Sequence, residues 1–323
     1  MTVGQDRAVE QFLAAWKRGA LHHAWLLAGP RGVGKATFAR EAATHVLAEA
    51  AGPPVDDPGL TTSADHPIAK LVEAGSHPDL RWLERLVNEK TDNLARNITV
   101  DQVRSLGDLF DLTPALSPWR VVVIDSIDDL EKSAANALLK MLEEPPADCL
   151  FLLVSHAPGK LLPTIRSRCR RLDFQSLNDE AMTSVIAKAL PEQRESERNR
   201  LIAAAGGSAG RALALAELDL VGLEEKAVRI LREGDRTNAR RSDLAGELGK
   251  RGAADRYAAF LDMLPAVIAR EARGLSGLPR QRAIDAYAKT RELVTIAPRL
   301  SLDPAATVFQ LGGILASVAD PVP

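Results

Sequence analysis

The sequence predicts an α/β domain built on a parallel sheet, followed by a purely helical part. Three observations carry that expectation. Short apolar runs alternate with helical patterns through the first half, as in a parallel sheet covered on both faces. The first of these runs ends in GPRGVGKAT, Gly29 to Thr37, whose glycine and lysine spacing is that of a phosphate-binding loop between strand and helix. From about residue 220 onward, Ala/Leu/Arg-rich stretches with apolar stripes take over, the pattern of a helical bundle.

HAWLLAG, His23 to Gly29, is a short apolar run suited to a buried strand, and Ala36 to Ala50 continues as an Ala-rich helix. The segment from Ala51 to Pro67 is rich in Pro, Gly, Asp and Thr and reads as a mobile surface insertion. DLRWLERL supplies a further strand. Ile98 to Leu112 reads as one helix with Thr99 as its N-cap. WRVVVIDS (Trp119 to Ser126) and CLFLLVSH (Cys149 to His156) are central-strand runs. Between them AANALLKMLEEPP is a one-sided amphipathic helix that stops at Pro145.

Composition narrows the class. The chain has 323 residues, enough for two or three domains, with 46% hydrophobic and 26% charged residues, ordinary for a globular protein. A formal net charge of −2 leaves any contact with DNA to be local or shared with partners. Only Cys149 and Cys169 are present, so a disulfide framework is not expected and a Cys₄ zinc site within one chain is excluded. No charged-then-apolar leader and no run of 18 apolar residues is present, and a cytoplasmic protein is expected.

Three constellations carry chemistry. In the loop, Gly29, Gly32 and Gly34 let backbone N–H groups curl round phosphate oxygens and Lys35 neutralises charge. The next position, where a hydroxyl normally ligates magnesium, is Ala36, with Thr37 one residue later. A plain glycine-rich turn with a surface lysine is the alternative. The second is Asp125, a carboxylate at a strand end where nucleoside triphosphatases hold magnesium. A following glutamate would orient water, but Ser126 stands there, and Asp128 and Asp129 are displaced from that role. Alone, this would read as a strand ending in a solvated Asp-rich turn. The third is LLPTIRSRCRRLDF, Leu161 to Phe174, either a solvated cationic helix end or the source of an arginine that reaches a neighbour's phosphate. Spacing alone favours the solvated end.

Taken together, GPRGVGKAT, VVVIDS, ANALLKMLEEPP, SHAPGKLLPTIRSRC and GGSAGRALAL, in this order, resemble the delta-prime clamp-loader subunits of bacterial DNA polymerase III. These are AAA+ proteins related to gamma/tau and to replication factor C, and the resemblance covers roughly residues 4 to 218. It implies an AAA+ domain over 1–175, a small helical lid over 176–219 and a helical collar over 220–323 through which subunits associate. Gly29, Gly34 and Lys35 match the phosphate loop, Asp125 the strand-end acid, His156 the polar sensor and Arg168 the trans-acting arginine. Gly210 stands where active relatives carry a sensor arginine, with Arg211 one residue later.

The expectation is therefore a hetero-oligomeric subunit of a DNA-directed DNA polymerase holoenzyme that lacks its own ATPase activity. It would bind ATP or ADP weakly or vestigially and work with gamma/tau and delta subunits, reaching the sliding clamp and primed DNA through the complex. Some relatives insert a cysteine-rich zinc module after the loop helix. Here residues 51–77 contain no cysteine, only His66 and His77, so no zinc is expected. Two other classes remain open: an active AAA+ ATPase acting on nucleic acid, and a P-loop small-molecule kinase. The C-terminal helices would equally suit a monomeric cap.

Overall fold

The computed structural model describes residues 2–55, 58–88 and 93–319. Asp56 and Asp57 of the expected insertion lie outside the described residues. The chain divides into two compact units, one of residues 1–198 and 205–211, the other of residues 199–204 and 212–323.

The first unit is built on a five-stranded parallel sheet of order β2-β5-β6-β1-β7, with β1 at Ala24–Ala28, β2 at Leu80–Glu84, β5 at Arg120–Asp125, β6 at Cys149–Ser155 and β7 at Arg170–Asp173. A separate two-stranded ladder pairs β3 (Val87–Asn88) with β4 (Asn93–Leu94). Every residue of β1 and β6 is buried, so their unbroken apolar runs are those of strands covered on both sides. Side chains alternate between two cores. Trp25, Leu27, Val121, Val123, Leu150 and Leu152 face one core, which α1 (Asp6–Lys17), α2 (Lys35–Ala51) and α3 (Pro67–Glu73) complete. Leu26, Val122, Ile124, Phe151 and Leu153 face the other, closed by α4 (Val100–Arg104), α5 (Leu106–Asp111), α6 (Lys132–Glu143) and α7 (Pro163–Arg166). Trp25, Phe12, Phe38 and Phe174 pack in that order, tilted or edge to face, at centroid separations of 5.2 to 5.7 Å. That chain of rings ties α1 and α2 to β1 beneath the phosphate loop. Helix α8 (Asp179–Ala189) also belongs to this unit, with Asn178 as its N-cap.

Two expectations are corrected. The helix read from Ile98 to Leu112 is two short helices that meet at Ser105. Ser105 bonds back through Oγ to the Gln102 carbonyl at 2.8 Å, a local bond that competes with helix continuation. Thr99 does cap α4, in a capping box with Gln102. Within Leu161 to Phe174 a short helix, α7, does end at the exposed Arg166, but Arg170 to Asp173 form a strand, β7.

Asp79, buried just before β2, accepts from the backbone N–H groups of Ala115, Leu116 and Ser117 at 2.7, 2.8 and 2.9 Å. Burial alone would raise its pKa; those three donors, with His77 nearby, outweigh it and hold the carboxyl below the usual range. A folded-state pKa below the unfolded value contributes stability above the unfolded pKa of about 3.9, which is lost as pH falls through the folded value. The stability deficit of Asp79→Asn should therefore shrink as pH drops below about 4 in urea titrations. A deficit independent of pH would remove the ionised carboxylate from this account.

In the second unit, α11 (Leu220–Glu233), α12 (Ala239–Leu248), α13 (Ala254–Arg273), α14 (Gly277–Arg299) and α15 (Pro304–Ala319) form a helical bundle. The remaining helices, α9 (Glu195–Ala205) and α10 (Ala209–Glu217), each contribute residues to both units. The apolar α15 packs on α11, α12 and α14, and Leu223, Ile230, Phe260, Leu264, Val308, Leu311 and Leu315 are buried. No helix among the described residues is long and apolar enough to cross a membrane.

Candidate functional site

The sheet's order and direction place three strand ends side by side. Because β6 lies between β1 and β5, the phosphate loop after β1, the turn after β6 and Asp125 at the end of β5 share one edge, where ligands bind in open parallel sheets. Gly34 precedes α2 with a φ of 97°, a conformation that costs a residue with a Cβ but not glycine. The helix then begins at Lys35.

The loop's backbone is held from its carbonyl side. The buried Lys35 ammonium donates to the Gly29 carbonyl at 2.6 Å and also to that of Pro30. Ser208 Oγ donates to the Arg31 carbonyl at 2.9 Å, the Gly210 N–H to the Gly32 carbonyl at 2.9 Å and Gln5 Nε2 to the Val33 carbonyl at 3.1 Å. Five consecutive carbonyls, Gly29 to Val33, are thus accounted for, and the loop shape is fixed. Gln5 also donates to the Gln175 carbonyl at 2.8 Å, which ties the residues before α1 to those after β7. Gly32 and Gly210 meet so closely that a Cβ on Gly210 would lie 2.8 Å from the Gly32 Cα.

The charges around the loop are unequal. Burial draws the Lys35 pKa down to about 8, aided by Arg31 and opposed by Asp125 and Asp128. Burial raises the Asp125 carboxyl, and Glu84 and Asp129 push it further while Lys35 and Arg31 oppose. Burial, Lys35 and Arg31 together lower His156 to about 4 against Asp128 and Asp129, so its imidazole is neutral near pH 7. The His156 Nδ1 is buried without a hydrogen-bond partner among the described residues.

Asp128 turns to the end of β6. It accepts from Ser126 Oγ at 3.3 Å, Ser155 Oγ at 3.0 Å, the Ala157 N–H at 3.2 Å and the His156 N–H. Asp129 pairs with Arg85 at 3.2 Å. Sequence reasoning sets both aside as water-orienting groups. What it misses is that Asp128 fixes the turn carrying His156.

The groups that could hold a phosphate are the loop glycines and Lys35, whose ammonium is turned here to the Gly29 and Pro30 carbonyls. The position after Lys35, where a hydroxyl ligates magnesium in such loops, is Ala36, and Thr37 beyond it is exposed. His66 and His77 use Nδ1 to accept from the Ile68 and Asp79 N–H groups at 3.2 Å each. No group of three or more His, Cys, Asp or Glu suited to a metal occurs among the described residues.

Arg168 is elsewhere. In the parallel register Trp25 sits opposite Arg170 and Ala28 opposite Asp173, so Arg168 lies beyond the starting edge of the sheet while the phosphate loop lies beyond the finishing edge. The strand between Trp25 and Gly29 alone spans roughly 13 Å. The Arg168 side chain, one-third exposed, pairs with Glu143 at 2.7 Å and donates to the Thr164 carbonyl at 2.9 Å. Of the neighbouring arginines, Arg170 lies over the Trp25 ring at 4.9 Å and Arg171 pairs with Asp173.

Comparison with known proteins bears on this arrangement. A "DNA polymerase III subunit delta'" of Pseudomonas aeruginosa is 38% identical over 189 residues, 58% of this chain and 53% of that protein. A "DNA polymerase III subunit tau" of Bacillus subtilis is 34% identical over 219 residues, 67% of this chain and 36% of that one. The chain therefore spans about half or less of the length of these curated relatives. A DNA polymerase III gamma subunit-related protein from Thermotoga maritima, known from a crystal structure, is 18% identical with a TM-score of 0.44, over 96% of this chain and 100% of that one. The family described as "DNA polymerase III, delta subunit" matches residues 4–178. That stretch holds the whole parallel sheet, the phosphate loop and the arginine loop, and as it is more than half of the sequence, the chain belongs to this DNA polymerase III subunit family.

Proposed function

We propose that this chain is a non-catalytic clamp-loader subunit of a DNA polymerase III holoenzyme, which helps load a sliding clamp on primed DNA and lends Arg168 to an ATP site on a neighbouring subunit. The observation that carries this reading is the position of Arg168 at the sheet edge opposite the chain's own phosphate loop. A guanidinium there meets a phosphate only when another molecule presents one. It would stabilise the negative charge that spreads over the phosphoryl oxygens in the transition state.

The chain's own loop supports a different role. Gly29, Gly32, Gly34 and Lys35 would hold a phosphate, and a bound nucleotide would bring a γ-phosphoryl group to the loop. Ser126 cannot serve as the base that orients water, and its hydroxyl faces Asp128. Nucleotide here is held weakly or vestigially, and the loop persists as architecture. The partners on this reading are gamma/tau and delta subunits, joined through a collar formed by residues 220–323, with 176–219 as the lid, in the cytoplasm.

The test is reconstitution. Alone, the chain should hydrolyse ATP no faster than a Lys35→Ala control; added to gamma/tau and delta subunits, it should co-elute with them and restore clamp loading. Turnover by the isolated chain that depends on Lys35 would favour an active ATPase and sink the proposal.

A further inference from the structure

We propose that Glu143 is a positioning residue for Arg168, which makes the end of α6 and the turn after α7 one functional unit. The inference rests on the reading of Arg168 as a trans-acting arginine given above. In sequence the two residues belong to separate motifs, LLKMLEEPP and SRC. In the structure Arg168 Nη2 lies 2.7 Å from Glu143 Oε1 while Nη1 donates to the Thr164 carbonyl at 2.9 Å.

Two partners on different elements fix a planar group. The guanidinium is a rigid fork, so one bond to α6 and one to α7 set both its position and its plane. It has five N–H groups, and these two bonds leave donors for a phosphate oxygen. Both partners are themselves anchored: the buried Leu142 seats the end of α6 and the buried Ile165 seats α7, both in the same core. The Thr164 carbonyl also accepts from Ser167 Oγ at 3.1 Å.

The pair is poorly suited to a purely structural role. Its side chains are 33% and 48% exposed, and ion pairs that open to water contribute little to stability. The same exposure leaves the fork accessible to another molecule. An arginine already held in place loses less rotamer freedom when it docks than one that must be ordered at that moment, so Glu143 acts on the rate at the neighbour's site through Arg168.

The experiment measures ATP turnover in the reassembled clamp-loader complex at saturating ATP, with assembly checked by co-elution. Glu143→Ala should cut the rate at the site that Arg168 serves by roughly threefold to tenfold, as expected for a reacting-group donor that loses its orientation but not its charge. The complex reads this as a partial loss of kcat no larger than that of Arg168→Ala. KM and assembly should stay unchanged. Glu143→Gln, which keeps an acceptor oxygen at the same reach, should recover most of that loss. In an Arg168→Ala background Glu143→Ala should have no further effect. Wild-type kcat for Glu143→Ala where Arg168→Ala is slow overturns the positioning role alone. So does an equal loss from Glu143→Ala with and without Arg168. An Arg168→Ala complex that turns over at the wild-type rate overturns the trans-acting reading, and the positioning role with it.

Discussion

Arg168→Ala is expected to leave this chain folded and to slow its complex. The side chain is partly exposed at the end of a short helix, where a lost ion pair costs less than about 1 kcal/mol. Trans-acting arginines contribute about 10³ to 10⁵ in rate at the site they serve. An assembly with several ATP sites dilutes the loss of one, so steady-state turnover should drop only partially, and clamp loading should drop more. Arg166→Ala and Arg170→Ala are the controls, since Arg170 is stacked on Trp25. If Arg168→Ala assembles and loads clamps at the wild-type rate while a control is defective, the role belongs to another arginine.

Asp128→Ala should be among the most damaging single substitutions to the fold of the first unit. Its carboxylate is the acceptor for two backbone N–H groups and two hydroxyls at the end of β6. Removing it strands those donors, and each buried donor left without a partner costs about 1 to 3 kcal/mol. Ser155 is buried and His156 half-buried, so a total near 2 to 4 kcal/mol is expected from the shift in urea midpoint. Asp128→Asn, which keeps one acceptor oxygen, should lose about half as much. A midpoint shift equivalent to less than about 0.5 kcal/mol for the alanine variant would mean that water replaces the carboxylate there.

The strands and helices nearest the phosphate loop were legible because their signals are local. An unbroken apolar run, a glycine loop and an alanine-rich stretch follow one another without interruption from His23 to Ala50, and each states its own conformation. Strand β7 was not legible. Three of its four residues are exposed and two are arginines, so neither alternation nor apolarity marks it. The break at Ser105 hides for a similar reason, since serine inside a helical pattern carries no fixed meaning until its hydroxyl finds a partner.

The site divides in the same way. Lys35 stands out because a motif of fixed spacing names it, whereas Asp125 needs that loop beside it and Arg168 needs the family resemblance, since its own spacing favours a solvated helix end. Gln5 is 170 residues from Gln175, which it holds, and Glu143 is 25 positions from Arg168. No local pattern joins either pair. Asp128 could be seen in the sequence but not read, because its partners lie at the end of another strand.

The close approach of Gly210 to Gly32 bears on which side chains single substitutions could add around this loop. A hydroxyl at position 36 or a carboxylate at position 126 is a side-chain change that a single substitution supplies. Position 210 is different. Any residue with a Cβ there meets the Gly32 Cα at 2.8 Å, and the hydrogen bond from the Gly210 N–H holds the two backbones at that spacing. An arginine at 210 must first push the loop away from the segment that fixes it, and stability falls before any new contact to a phosphate forms. The contact works as a ratchet: positions 36 and 126 accept new side chains one step at a time, and position 210 only with remodelling of the loop backbone.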